Sequence, residues 1–452
     1  MSKIMAWGAC PLPIDNTSKL YGLGHRTWHF IQPLLEEGHE ILLVAVHIPG
    51  DPEKPPFEKI VKDHWTYYQV NHPEVFQDLS FHQRLYDEFQ PEVLLGINTY
   101  PASFAARIKS DKPFWADLNG ALMTEAQAKS HKIGSNEPVI EFWEQELAVI
   151  SKGDIFSTVS IPQKYMLLGE LATLGRLNRL TIDYEFAHWI PNSIEEKEVI
   201  RPDIPSFRKG WATDDDFVIL WSGGYNTWTD IETLFNGLSL AMNEHPGIKF
   251  LSTGGSLPGH DETTYQRFQE KIQASPHKDK FRLLGWIPTE EVPATWFDCD
   301  LGINIDHMNY ETLTGARNRL IHMMKTGLPV LTTLGTEISQ IIQDNRLGWT
   351  FKVGESESLK ESILNISQNR DELKKTGLKG KEYIYNHFTY KVTTGELREW
   401  MQNPKPCPHR LNHAQHPGIQ TVSTPNLLPS EGGKPLHDMI NYLKTKYRKT
   451  KA

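Results

Sequence analysis

Residues 310–330, YETLTGARNRLIHMMKTGLPV, gather the groups that hold an anion and stabilise its charge. A carboxylate, Glu311, and a flexible Gly315 precede a predicted helix with Arg317, Asn318, Arg319 and His322 in its first turns. Gly327 stops that helix and Pro329-Val330-Leu331 begins a strand. The first amides of a helix lack intrahelical partners and its dipole is positive there, so such a junction suits a phosphate-bearing ligand. Two arginines would add charge-assisted contacts of defined geometry. An ordinary βαβ unit with solvated or paired polar groups would read the same way, so the rest of the chain must decide.

Two further loops could converge on this one. Ser222-Gly223-Gly224-Tyr225-Asn226-Thr227-Trp228-Thr229-Asp230 offers paired glycines before a predicted helix, a pattern that can nest a phosphate. Asp230 or Thr229 would cap the same helix. Gly285-Trp286-Ile287-Pro288 offers a flat side chain and free backbone groups that could seat a base ring; a core Trp is the alternative. Near the N-terminus, Tyr21-Gly22-Leu23-Gly24-His25-Arg26 carries a Gly-x-Gly that would let backbone approach a ligand. The dinucleotide fingerprint needs a third glycine and a tight turn directly after the strand. Both are missing, so no NAD site is expected.

The elements that must position these loops alternate as strand and helix. Strands are predicted at 3–7, 40–46, 93–97, 114–118, 155–159 and 187–190, then at 217–221, 249–252, 281–284, 300–305, 329–332 and 349–353. A helical stretch at 125–151 should pack Trp143, Leu147 and Ile150 into a core. Polar groups end several strands (Asn98-Thr99, Asp117-Leu118-Asn119-Gly120, Ser160), the edge where open α/β sheets bind ligands. The fold class is therefore α/β with two Rossmann-like domains and no sequence repeat. The charged, Pro-containing connection near 191–213 separates them. Expected bounds are 1–195 for the first domain, 196–387 for the second, 388–402 for a crossover helix and 403–452 for a linker and tail. Leu436, Met439, Ile440, Leu443 and Tyr447 recur at helical spacing among lysines; such a tail can meet an acidic membrane surface or dock on its own protein.

The 452 residues suffice for two or three domains, and 47 basic against 56 acidic residues give a net charge of −9. That balance, without a basic stripe, disfavours nucleic acid. No apolar run approaches the roughly 18 residues of a membrane span, and the N-terminus lacks a signal-peptide profile. Cys10, Cys299 and Cys407 are too far apart for a disulfide framework or zinc site. A cytoplasmic protein is expected, peripheral at the inner membrane face if the tail binds lipid.

With these loops in order, the chain resembles the GT-B fold glycosyltransferases, specifically the GT4-like retaining enzymes, over residues 4–402. Ser252-Thr253-Gly254-Gly255, Leu284-Gly285-Trp286-Ile287 and Gly327-Leu328-Pro329-Val330 carry the likeness in the second half. The finer likeness is to a bacterial, largely cyanobacterial, branch of exopolysaccharide enzymes, including those of heterocyst envelope polysaccharide. Its marks are Trp221-Ser222-Gly223-Gly224 with Trp228 and Asp230, Glu311-Thr312 ahead of Arg317 and Arg319, Ala116–Gly120 with Glu125-Ala126-Gln127, Phe156–Ser160, and Gly175–Asn178. Two departures stand out. The paired glutamates of the larger family fall here on Thr314 and His322, and no cation follows Gly223-Gly224.

The resemblance implies transfer of a hexose from a nucleoside diphosphate sugar, most readily UDP-glucose, with retention, onto a glycan or lipid-linked acceptor. It implies a helix crossing back to the first domain after 388. Arg317 and Arg319, with Glu311 and Asp117, would form the catalytic set. Gly22, Gly24, Gly223, Gly224, Asn226, Gly315 and His322 would hold the nucleotide, with Trp286 and Ile287 at the base. Glu311, Thr312, Asn119 and His25 would meet the sugar. No cofactor or metal is expected, because arginine would carry the charge. A nucleotide-sugar epimerase or phosphorylase of the same fold, or a GT-B protein that binds nucleotide without catalysis, are the competing readings.

Overall fold

Two sheets built from successive stretches of the chain organise the molecule. The computed structural model describes residues 1–15, 20–257 and 260–412, so the predicted amphipathic tail and the linker beyond 412 lie outside the described residues. The first sheet joins β1 (Lys3–Cys10), β2 (Glu40–His47), β3 (Phe57–Lys62), β4 (Trp65–Val70), β5 (Val93–Ile97), β6 (Phe114–Asp117), β7 (Ile155–Thr158) and β8 (Ala187–Trp189). Their order is β3-β4-β2-β1-β5-β6-β7-β8, parallel apart from the β3–β4 pair. The second sheet is wholly parallel, in the order β11-β10-β9-β12-β13-β14. Its strands are β9 (Phe217–Trp221), β10 (Ile248–Ser252), β11 (Phe281–Leu283), β12 (Leu301–Asn304), β13 (Val330–Thr333) and β14 (Trp349–Phe351).

Both sheets are covered on both faces, which is why their central strands read as unbroken apolar runs. Met5 and Trp7 of β1 enter one core of the first lobe and Ile4 and Ala6 the other. In β9, Phe217, Ile219 and Trp221 face one layer and Val218 and Leu220 its opposite. The strands expected from sequence are present with small shifts at their ends. The β3–β4 hairpin was not foreseen: FEKIVK is a largely exposed, charged edge strand that buries too little to show a pattern. The expected helix over 125–151 is two, Leu122–Ile133 and Glu137–Lys152, because Gly134 turns left-handed at φ +68°. Its core side is Gln145, Glu146, Val149 and Ile150, while Trp143 and Leu147 are only half-buried.

After Arg370–His387 the chain returns to the first lobe. Leu397 and Met401 of the helix Gly395–Gln402 pack with Ile4, Ala6 and Phe30. Residues 403–412 stay there rather than forming a free linker: the Cys407 amide donates to Asp154 Oδ1 at 2.8 Å, and Arg410 pairs with the same carboxylate.

Helix α1 (Gly22–Glu36) is set by a buried ion pair. Arg26 donates from Nη2 to Asp117 Oδ1 at 2.6 Å and from Nε to Oδ2 at 3.1 Å, and its Nη1 reaches the Pro191 carbonyl at 2.9 Å. Ser157 adds a bond to Asp117 at 2.7 Å. Asp117 is 0% exposed, so it does not face the cleft as the sequence reading expected; it anchors α1 to β6. Removing one member of a buried pair strands the other charge. Asp117→Ala is therefore expected to lower unfolding free energy by about 3–5 kcal/mol in denaturant titrations. A loss below about 1 kcal/mol, the range of exposed pairs, would show the pair to be dispensable.

Candidate active site between the two lobes

The carboxyl ends of β9 to β12 bring the predicted loops together. Gly223 donates its amide to Thr253 at 3.3 Å, Gly254 to Gly285 at 2.7 Å, and His307 to Trp228 at 2.8 Å. Gly223 sits at φ +107°, which L side chains rarely adopt. A Cβ on Gly254 would lie 2.3 Å from the Gly223 carbonyl carbon, so these two glycine loops interlock only because Gly254 lacks a side chain. Asp230 caps the helix Ile231–Glu244 by accepting from Thr233 N, as one of the two candidates named above.

Arg317, expected at the diphosphate, is held by carboxylates instead. Its Nε donates to Asp306 Oδ2 at 2.8 Å, and Nη1 and Nη2 donate to the two oxygens of Glu311 at 2.9 and 2.7 Å. Burial alone would depress the Arg317 pKa, but the two carboxylates raise it. Glu311 is correspondingly committed. Both its oxygens are taken and it is buried on the short helix Tyr310–Thr314, so it does not reach out to sugar hydroxyls. Burial pushes its carboxyl up while Arg317 pulls it down. Thr312 also points inward, donating to the His307 carbonyl. Gly315 has φ −81°, so its role is not flexibility. A Cβ there would stand 2.4 Å from Glu311 Oε1 and 2.8 Å from Arg317 Nη1; the clamp needs the empty space.

Arg319 is held differently. Its guanidinium lies 3.8 Å from the Trp221 ring centroid, and Nη2 donates to the Gly224 carbonyl at 2.6 Å. Nη1 is buried and has no hydrogen-bond partner, and the carboxylates beside it are engaged by Arg317. Burial lowers its pKa to about 10, which leaves it protonated at neutral pH. Asn226, half-exposed on the same loop, donates its amide to Thr229 Oγ1 at 3.1 Å. Trp286 is 38% exposed, and its ring meets Tyr21 of the first lobe edge-on at 6.2 Å. Ile287 beside it is half-buried.

On the facing lobe, Gly22 is exposed at the start of α1, and a Cβ there would come within 2.8 Å of the Asn318 side chain. The helix starts of the two lobes thus approach each other. Gly24 serves packing rather than a ligand: its Cβ would be 1.9 Å from the Pro11 carbonyl oxygen. His25, expected at the sugar, turns Nδ1 toward Glu195 at 3.6 Å, and its ring lies 5.4 Å from that of His322. His322 stacks on Trp296 at 6.1 Å, and burial with the nearby Lys325 charge keeps it neutral. Asn119, at φ +57°, donates to Asn98 Oδ1 at 2.9 Å and stays half-exposed.

The lobes touch through few polar bonds. Thr124 and Thr314 hydroxyls meet at 3.0 Å, Ser160 Oγ donates to the Thr314 carbonyl at 2.6 Å, and the Ile161 amide to Glu337 at 2.8 Å. Glu125, next to Thr124, was part of a quoted motif without a role. Its Oε1 fills the space a Cβ on Gly120 would need, at 2.3 Å. Burial, with Glu311 adding, pushes its carboxyl up to about 8.

Residues 216–369 match the family model described as Glycosyl transferases group 1. A stretch of 145 residues is 24% identical to WcaL of Escherichia coli (strain K12), a proposed colanic acid biosynthesis glycosyltransferase; it covers 30% of this chain and 34% of that protein. The chain thus spans about a third of the curated relative it matches. Among solved structures, sucrose-phosphate synthase from Thermosynechococcus elongatus superposes with a TM-score of 0.67 at 14% identity, covering 89% of this chain and 98% of that one. HepE of Anabaena in complex with UDP-glucose gives 0.63 at 12% identity over 89% and 100% of the two chains. The Escherichia coli trehalose-6-phosphate structure bound with UDP-2-fluoro glucose gives 0.61 at 11% over 90% and 100%. The chain has the GT-B fold, and its second lobe carries a glycosyltransferase group 1 domain.

Two measurements check the electrostatics. Arg317→Ala should destabilise the full chain by about 3–5 kcal/mol, since two buried carboxylates lose their cation; an unchanged unfolding midpoint would contradict the clamp. Glu125 keeps its proton in the folded chain up to about pH 8, whereas an unfolded carboxyl loses it near 4.5. The folded state therefore binds more protons across that window, and stability falls as pH rises through it. Glu125→Gln should flatten the fall, read as unfolding free energy against pH; parallel curves for the two proteins would refute the assignment.

Proposed function

We propose that this protein is a retaining, metal-independent glycosyltransferase that moves glucose from UDP-glucose to a glycan or lipid-linked acceptor in exopolysaccharide synthesis. The family match over the second lobe supports sugar transfer. The nucleotide-sugar complexes of its structural neighbours, HepE with UDP-glucose and the trehalose-6-phosphate structure with UDP-2-fluoro glucose, support the donor class. The name of WcaL supports an exopolysaccharide role. Residues 196–387 would bind the donor, 1–195 the acceptor, and 388–402 would tie the two together.

One observation carries the reading. Arg319 holds a buried Nη1 without a partner beside the Gly223-Gly224 loop, where a departing diphosphate would gather charge. In the transfer step the bond from the anomeric carbon to the β-phosphate oxygen breaks, and the acceptor oxygen bonds to that carbon from the same face. The acceptor proton passes to the leaving phosphate oxygen, so no protein nucleophile is consumed. Catalysis then rests on positioning and on a charge already in place. Trp286 and Ile287 would flank the uracil, the Asn226 side chain and the Gly224 amide the diphosphate, with Gly223 shaping the turn, and neutral His322 the ribose. Asn119 would orient the sugar from the first lobe. Among the described residues no helix is long and apolar enough to cross a membrane, and the acceptor would be met at the cytoplasmic face.

Arg319→Ala should lower kcat by on the order of 100-fold at saturating UDP-glucose, the usual cost of losing a preorganised charge donor. The unfolding midpoint, measured alongside, separates this from misfolding. Wild-type turnover in a folded Arg319→Ala protein would overturn the role of the guanidinium. A β-linked product from the α-linked donor, read by NMR, would overturn retention.

A further inference from the structure

We propose that His25, His29 and Glu195 form a binding site for a zinc-type divalent cation at the seam between the lobes. His25 and His29 lie four residues apart on α1, so both rings project from one face, with centroids 5.9 Å apart. Glu195 comes from the segment that leaves β8 and leads to the second lobe. Its Oε1 is 3.2 Å from His29 Nε2 and 3.6 Å from His25 Nδ1, and the three donor atoms all lie within 4.8 Å of one another. Metal–ligand bonds of about 2.0–2.2 Å at tetrahedral angles put neighbouring donors roughly 3.3 Å apart. The observed spacing fits that geometry with side-chain adjustment alone.

His25 Nδ1 is buried and has no hydrogen-bond partner. The His29 ring is held by stacking on Tyr390 at 5.9 Å. Glu195 Oε1 already faces both imidazoles. Its second oxygen accepts from Lys325 Nζ at 3.0 Å, so the carboxylate can bridge the cation and the lysine, as outer partners of ligating carboxylates do. Two imidazoles and one carboxylate select zinc, or cobalt in its place, over calcium or magnesium, which prefer all-oxygen sets. His322 stands beside the cluster as a further neutral imidazole. The cluster shares none of its three ligands with the Gly223–Arg319 nest, although His322, placed above at the ribose, lies 5.4 Å from the His25 ring; metal binding by these ligands does not require the proposed transfer reaction. Its consequence would be mechanical: the ion pins the inter-lobe segment to α1.

The test uses untagged full-length protein, stripped with chelator and titrated with Co²⁺. One equivalent should produce the visible ligand-field band of low-coordinate cobalt, Zn²⁺ should abolish it, and Zn²⁺ should raise the thermal midpoint. His29→Gln and Glu195→Gln, confirmed as folded by circular dichroism, should each lose the band and weaken Zn²⁺ binding at least tenfold. Absence of the band and of the midpoint shift in the unaltered protein would overturn the site. So would an unchanged band in either folded variant, which would place the ion elsewhere.

Discussion

A guanidinium buried away from water must be neutralised, and the way Arg317 is neutralised shapes the candidate site. Asp306 arrives from the end of β12 and Glu311 from the next short helix, and both close on the same side chain. Replacing such a cluster by apolar side chains is often neutral or favourable to stability, so its value is better sought in position than in stability. Here the position is the path of residues 306–319. The clamp draws Glu311 against Gly315, starts the helix Asn318–Met324 at a fixed angle, and sends Arg319 beneath Gly224.

The first lobe repeats the device with different parts. Arg26 on α1 is neutralised by Asp117 at the end of β6, and the bond to Pro191 extends the hold to the segment that leaves the lobe. Each lobe thus secures the start of the helix that faces the crevice with a buried arginine–carboxylate pair. Contacts across the crevice include hydroxyls, amides and Lys132, whose Nζ reaches Thr264 Oγ1 at 2.8 Å and lies 3.8 Å from the buried Asp261 carboxylate. A net contribution of about 0.5–1.5 kcal/mol for each such bond makes them easy to exchange for contacts to a ligand.

This division explains what the sequence could and could not disclose. Parallel strands buried on both faces mostly announce themselves as apolar runs, so the two sheets and the converging loops were legible, while the charged edge strand β3 was not, nor was buried β4, whose WTYYQV mixes polar residues with aromatics. Residue type and helix-start position marked Arg317 and Arg319 alike. Nothing local distinguishes them, because the discriminating partner, Asp306, lies in another element and is met only through folding. The same holds for Asp117, whose polar context after β6 reads as a ligand edge until Arg26 folds over it. Gly24 was legible as a close approach, but the approaching group proved to be protein; Gly315, read as flexible, is instead another such approach. The His25–His29 spacing was visible all along; its third member, Glu195, sits in a charged connector where one more glutamate carries no signal.

The pairing of a satisfied arginine with an unsatisfied one also has a chemical consequence. Arg319 keeps its charge because a pKa of about 10 still lies well above neutrality, yet burial has already removed much of its water. The Trp221 face and the Gly224 carbonyl offset part of that loss without supplying a counter-charge. An anion arriving there meets a cation that need not be desolvated a second time, in surroundings where Coulomb attraction is weakly screened. The Asp306 charge is felt by Arg319, but Asp306 and Glu311 are both paired with Arg317. By occupying both, Arg317 keeps its neighbour available.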